Sequence, residues 1–138
     1  MKKLTMEELH RVTPEQSKAQ PKAPIVVVLD SIRSMNNVGS VFRTCDAFNV
    51  EKLYLCGITA CPPHKDIAKT ALGATESVAW EYAEDVEALA RRLKDDGYAL
   101  FVVEQVDQSK MLNQFSFKEF EKVALVVIDG MSFWQYQQ

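Results

Sequence analysis

The sequence predicts an α/β domain, a mostly parallel sheet with helices on both faces. Three observations carry that prediction. Two continuous apolar runs, IVVVL at 25–29 and VALVVI at 123–128, are short, rich in valine and free of polar alternation. Strands buried on both faces of a parallel sheet read this way. Segments of strand and helix character alternate along the chain, which calls for parallel strands joined by helical crossovers. The stretch AEDVEALARRLKDDG at 83–97 supplies the clearest crossover. Val86, Leu89, Ala90 and Leu93 form one apolar stripe, acids crowd the first turn, basic residues come later, and Gly97 sits where a helix stop belongs.

The elements follow in order. MKKLTMEELHRV at 1–12 predicts a short amphipathic helix, with Thr5 and Glu8 at capping-box spacing and Met6, Leu9 and Val12 on one side. TPEQSKAQPKAP at 13–24 holds three prolines and reads as a linker. Residues 1–20 are therefore expected to be an N-terminal helix and linker, and 21–138 the α/β domain. The first strand is Ile25–Asp30. NNVGSVFRTCDAF at 36–48 places Val38, Val41, Phe42, Cys45 and Phe48 at helical spacing. KLYLCG at 52–57 is a second strand closed by Gly57. PHKDIAKTALGA at 63–74 holds a short helix ending near Gly73. SVAWEY at 77–82 is a third strand, with Trp80 and Tyr82 alternating as packing residues. YALFVVEQ at 98–105 and KVALVVID at 122–129 are the fourth and fifth.

Composition narrows the function classes. The 138 residues allow one domain with a real core. With 47% apolar and 25% charged residues, the chain is globular rather than disordered. Its apolar runs are far too short to cross a bilayer, and no secretory pattern opens it. No membrane partner and a cytoplasmic location are the expectations. Cys45, Cys56 and Cys61 are odd in number and lack metal-site spacing, so reduced, mostly buried thiols are expected and no metal. The net charge is −3, unevenly spread. Up to Arg43 there are seven Lys/Arg against four Asp/Glu, and beyond it nine against fifteen. A basic front on an acidic body can meet phosphate locally. The glycine patterns of dinucleotide- and triphosphate-binding loops are absent.

In parallel sheets, ligands collect at the carboxyl ends of the strands. Asn37 follows the loop that leaves the first strand and can cap the next helix. Gly39 removes a side chain where backbone amides could face an anion. Arg43 lies six residues after Asn37. It could hold a phosphate, or sit beside a ribose hydroxyl and favour its ionised form. A cap, a packing glycine and a solvated arginine fit the same spacing, and spacing alone leaves both readings open. His64 suits a surface or capping role better than that of a general base. Lys110, Lys118 and Lys122 read as solvated charges.

LDSIRSMNNVGSVFRTCDAFNVEKLYLCG at 29–57 resembles the first conserved motif of the SpoU (TrmH-like) RNA 2′-O-ribose methyltransferases, of the SPOUT superfamily with its α/β trefoil knot. Asp30, Ile32, Arg33, Asn37, Val38, Gly39, Arg43, Thr44, Asp46, Ala47 and Phe48 carry the likeness. TACPPHKDIAKTALGATESV at 59–78 continues it, with Thr70, Gly73 and Ala74 ahead of a strand. The resemblance implies transfer of a methyl group from S-adenosylmethionine to a ribose 2′-hydroxyl of tRNA or rRNA, by a chain that is normally a homodimer. It implies that Arg43 promotes deprotonation of that hydroxyl and that Asn37 shapes the same site. Arg33, with Lys2, Lys3, Arg11, Lys18 and Lys22, would meet RNA phosphates. Glu104, Gln105 and Gly130 would lie near the cofactor pocket.

The resemblance stops after the fifth strand. The family's second motif reads approximately Gly-Asn-Glu-x-x-Gly, whereas Asp129, Gly130, Met131 and Ser132 stand here. The third motif, opening on Ser-Leu-Asn, has no counterpart. The expectation is a SpoU-type domain truncated at the second motif and lacking the knot segment. Impaired activity follows, with strand five or a neighbour left open to self-association. A non-catalytic RNA-binding or interaction remnant of the family is the alternative.

Overall fold

The computed structural model describes residues 22–104 and 122–129. Within them lie β1 (Ala23–Asp30), α1 (Met35–Ala47), β2 (Val50–Cys56), α2 (Lys65–Ala71), α3 (Ala74–Ser77), β3 (Trp80–Ala83), α4 (Val86–Asp95), β4 (Ala99–Glu104) and β5 (Val123–Ile128). The five strands form one sheet in the order β3-β2-β1-β5-β4. Every neighbouring pair is parallel, as the valine-rich runs predict. Positions 1–20, with the expected helix and linker, lie outside the described residues, as do Lys110 and Lys118.

The two apolar runs occupy the middle of the sheet. All six residues of β5, and Ile25 to Asp30 of β1, are buried. Alternation in β1 divides the core. Ile25, Val27 and Leu29 pack with Val38, Phe42 and Ile67 on the face covered by α1, α2 and α3. Val26 and Val28 pack with Leu89 and Leu93 of α4 on the other. Both faces need apolar side chains, so neither strand alternates.

The helix predicted to end near Gly73 does so: it stops at Ala71, and Leu72 (φ 51°) and Gly73 (φ 89°) are both left-handed. A fresh turn, α3, then occupies Ala74–Ser77, so the third strand begins at Trp80 rather than Ser77. Of strand five and its neighbours, strand five is hydrogen-bonded to β1 on one side and β4 on the other, and its neighbour β4 is the one left open among the described residues. The outer strands among the described residues are β3 and β4, and Val102 of β4 is 40% exposed. The aromatic pair divides. Trp80 meets Phe42 edge to face, centroids 6.5 Å apart, while Tyr82 is largely exposed and donates its hydroxyl to the Gly57 carbonyl at 2.8 Å.

Gly97 does end α4. Its φ is 95°, its amide donates to the Lys94 carbonyl at 3.1 Å, and the Tyr98 amide donates to Leu93 at 3.0 Å. This pair of bonds is the Schellman stop. A Cβ at Gly97 would meet nothing within 4 Å, so conformation alone opposes a side chain there. Gly97→Ala is expected to cost about 1 kcal/mol, from the left-handed penalty for an L-residue. Urea denaturation should show a lower midpoint with unchanged slope.

Candidate functional site

The site is built where β1 runs out. Ser31 turns the chain with φ 52°, and its amide donates to the Cys56 carbonyl at 3.1 Å. The Ile32 amide donates to Thr59 Oγ1 at 3.0 Å, and Thr59 Oγ1 donates to the Leu29 carbonyl at 3.3 Å. Arg33 projects from this turn into solvent. Ser34, not Asn37, then caps α1: its Oγ accepts from the Asn37 amide at 3.2 Å. Asn37 is already inside the first turn. The chain leaves its extended conformation three residues before the expected cap, because Ser34 offers the same acceptor with β-region backbone angles.

The role expected of Gly39 is also corrected. Gly39 is buried in α1, against α2. A Cβ on it would come well within 3.0 Å of both the Ile67 carbonyl and Thr70 Oγ1. Its lack of a side chain serves helix crossing rather than anion access. Thr70 Oγ1 donates to the Asn36 carbonyl at 2.7 Å, tying the same turn of α1 to α2. Sequence reasoning missed Ser34, Thr59 and Thr70 as positioning groups. Ser34 carries a legible signal, a serine ahead of an apolar helical period. The two threonines stand in the segment that continues the family likeness, but no local signal marks either as a positioning group, since their partners are 27 and 34 residues away.

Asn37 and Arg43 are both exposed. Six helical residues separate them by about 9 Å along α1 and roughly 120° around it. Arg43 shares its side with Asn36 and Gly39, toward α2, while Asn37 lies on the flank away from it. Arg33, Asn37 and Arg43 thus share the solvent side of one helix and its entry turn without touching. Lys22 does not join them. It precedes β1 and donates to Asn49 Oδ1 at 2.9 Å, about 23 Å from the Arg33 end by strand length. Lys2, Lys3, Arg11 and Lys18 lie outside the described residues.

His64 has the capping role. Its Nδ1 accepts from the Asp66 amide at 3.1 Å and starts α2, which commits the acceptor lone pair of a neutral imidazole to the backbone. Of the residues expected near a cofactor pocket, Glu104 ends β4 as an exposed carboxylate opposite Ile128. Gln105 and Gly130 lie outside the described residues. Glu104 and the half-exposed Asp129 after β5 are no cradle for an adenosine, so the described residues at these strand ends do not by themselves fit a methyl donor. Among the described residues no group of three or more His, Cys, Asp and Glu side chains is placed to hold a metal.

The thiols are free. Burial, then the neighbouring Asp46 charge, raises the Cys45 thiol far above its ordinary range. Cys56 is pushed up to about 12 by burial, then by Asp30, Asp85 and Cys61. Cys61, which is half-buried, is raised by burial alone. Thiolate is the reactive form, so iodoacetamide at pH 8 should label Cys61 slowly. Cys45 and Cys56 should react only in denaturant, as mass spectrometry of the labelled peptides would show.

Known proteins resemble this chain in sequence and in fold. The model described as the SpoU rRNA Methylase family matches residues 24–127. A protein of Staphylococcus saprophyticus named as a TrmH family tRNA/rRNA methyltransferase is 30% identical over 83 residues, 60% of this chain and 33% of its own. The 23S rRNA (guanosine-2′-O-)-methyltransferase RlmB of Vibrio parahaemolyticus is 28% identical over 79 residues, covering 57% of this chain and 32% of its own. The crystal structure of an AdoMet-bound rRNA methyltransferase from Sinorhizobium meliloti superposes with a TM-score of 0.59. At 20% identity it covers 86% of this chain and 42% of that one, a likeness of fold. The chain spans about a third of the length of the two sequence relatives.

Proposed function

This chain belongs to the SpoU rRNA methylase family, and from that premise we propose that it carries the RNA-facing half of a ribose 2′-O-methylation site. The substrate is tRNA or rRNA, the class named for the relatives. The observation that carries the reading is the placement of Arg33, Asn37 and Arg43 on the entry turn and open side of one helix, the entry turn held by Thr59 and the first helical turn by Ser34 and Thr70. A 2′-hydroxyl is a poor nucleophile near neutrality. A guanidinium set beside the oxygen stabilises the developing alkoxide, and Arg43 supplies it. Asn37 offers an amide that can orient the ribose, and Arg33 contacts backbone phosphate.

S-adenosylmethionine, the cofactor bound in the Sinorhizobium structure, would supply an electrophilic methyl group. The Asp129-Gly130-Met131-Ser132 sequence after β5 favours a second reading, a non-catalytic RNA-binding remnant. Self-association, as a homodimer or otherwise, belongs to the same proposal. So does a cytoplasmic location, supported by three free thiols. Among the described residues no helix is long and apolar enough to cross a membrane.

Fluorescence anisotropy with labelled tRNA and rRNA fragments tests the RNA-facing site. Binding should weaken as salt rises. Arg33→Ala should weaken it across sequences and reduce the salt slope by about 1. Arg43→Ala should weaken binding to ribose-containing RNA more than to the matching DNA. Equal affinity of both variants and the parent would sink the reading.

A further inference from the structure

We propose that Thr59 is a positioning residue for RNA recognition, fixing through its hydroxyl the turn from which Arg33 projects. The inference rests on the RNA-binding reading above and assigns a role to a residue outside the motif that carries it.

Thr59 is 3% exposed and lies in the loop after β2. A buried hydroxyl is costly unless its bonds are made. Here it accepts from the Ile32 amide and donates to the Leu29 carbonyl. Those two groups flank Asp30 and Ser31, where the chain leaves the sheet. Ile32 is itself 1% exposed. Without Thr59, its amide would face the interior with no acceptor in place. The turn needs such a constraint, because Ser31 holds φ 52°, a conformation that non-glycine residues avoid.

The two loops are in close register elsewhere too. Ser31 Oγ occupies the space that a Cβ on Gly57 would need, and the Gly57 carbonyl accepts from the Tyr82 hydroxyl. A line of contacts therefore runs from β3 through Gly57–Thr59 to Ser31 and Ile32. Arg33 is the next residue and Ser34 the α1 cap. Loosening Thr59 frees the guanidinium without touching it, and ordering it again on RNA then costs affinity.

The test compares Thr59→Val, Thr59→Ser, Arg33→Ala and the double variant Thr59→Val with Arg33→Ala, all in the full chain. Anisotropy with a labelled tRNA reads affinity, and hydrogen exchange reads the Ile32 amide. Thr59→Val keeps the shape and loses the hydroxyl, so RNA affinity should fall about fivefold. Thr59→Ser should stay within about twofold, by the same argument. In the double variant the Thr59 effect should vanish, because the group it positions is gone. The Ile32 amide should exchange faster in the two variants that carry Thr59→Val, and not in Thr59→Ser or Arg33→Ala.

Unchanged affinity in Thr59→Val, with Arg33→Ala weakened, overturns the inference and leaves the RNA-binding reading standing. Equal weakening in the Thr59→Val and Thr59→Ser variants, or full additivity with Arg33→Ala, also overturns it. Unchanged binding in Arg33→Ala overturns the reading beneath it. If Thr59→Val melts below the assay temperature, Tyr82→Phe removes only the outer bond of the line. It should weaken binding about twofold, and no change there overturns the inference.

Discussion

Gly39→Ala is expected to destabilise the fold by about 2–3 kcal/mol, against a helix-propensity gain of about 1 kcal/mol that alanine would otherwise bring. The sign follows from what the new methyl group meets. Thr70 Oγ1 and the Ile67 carbonyl would both lie well inside 3.0 Å, with the Ala71 amide at 3.0 Å. A side chain can rotate away; a carbonyl in the middle of α2 cannot. The helices must separate, which thins the core beneath Val38 and Ile67 and strains the Thr70–Asn36 bond. Thermal melting should fall by about 10 °C, at roughly 4 °C per kcal/mol for a domain of this size. Combining Gly39→Ala with Thr70→Ala should recover only part of the loss, since the Ile67 carbonyl stays. A loss under about 0.5 kcal/mol would show that α1 and α2 do not cross this closely.

That close crossing marks the limit of what the chain's pattern discloses. The sheet is legible because each strand repeats one simple environment. Ile25–Leu29 and Val123–Ile128 are apolar at every position because both faces are covered. Helix α4 is legible because its stripe, its acidic start and Gly97 are local signals. The cap of α1 falls three residues earlier than its pattern suggests, because serine and asparagine offer equivalent acceptors and only backbone geometry selects Ser34. Gly39 is ambiguous for a different reason. A glycine in the first turn of a helix serves an anion or a neighbouring backbone equally well, and the neighbour here is 28 residues away in the chain. The positions of Asn37 and Arg43 can be counted from sequence, but their divergence around α1 follows only once the cap is placed at Ser34, so that both stand inside the helix.

S-adenosylmethionine titrated into the 138-residue chain is expected to give no saturable heat below about 1 mM, whereas RNA binding persists. Micromolar affinity corresponds to about 8 kcal/mol and millimolar to about 4 kcal/mol, so roughly half the binding free energy of a good cofactor site would be missing. A site of that quality buries most of its ligand in a preformed concavity. At the carboxyl ends of β4 and β5 the described residues offer Glu104, exposed, and Asp129, half-exposed. The six side chains of β5 are committed to the core and cannot turn outward. The residues that follow, Gly130, Met131 and Ser132, supply no Asn-Glu pair to grip polar groups of the donor. The proposed RNA contacts would survive this loss because they use other residues. Arg33, Asn37 and Arg43 belong to β1's exit and α1, whereas the donor candidates end β5, the strand beside β1, and β4 beyond it. The two functions should therefore separate in one experiment. Silent calorimetry with S-adenosylmethionine beside salt-sensitive RNA binding would mark a chain that holds the nucleophile's half of the reaction. Micromolar cofactor binding would sink the remnant reading and assign the pocket to residues within 105–121 or 130–138.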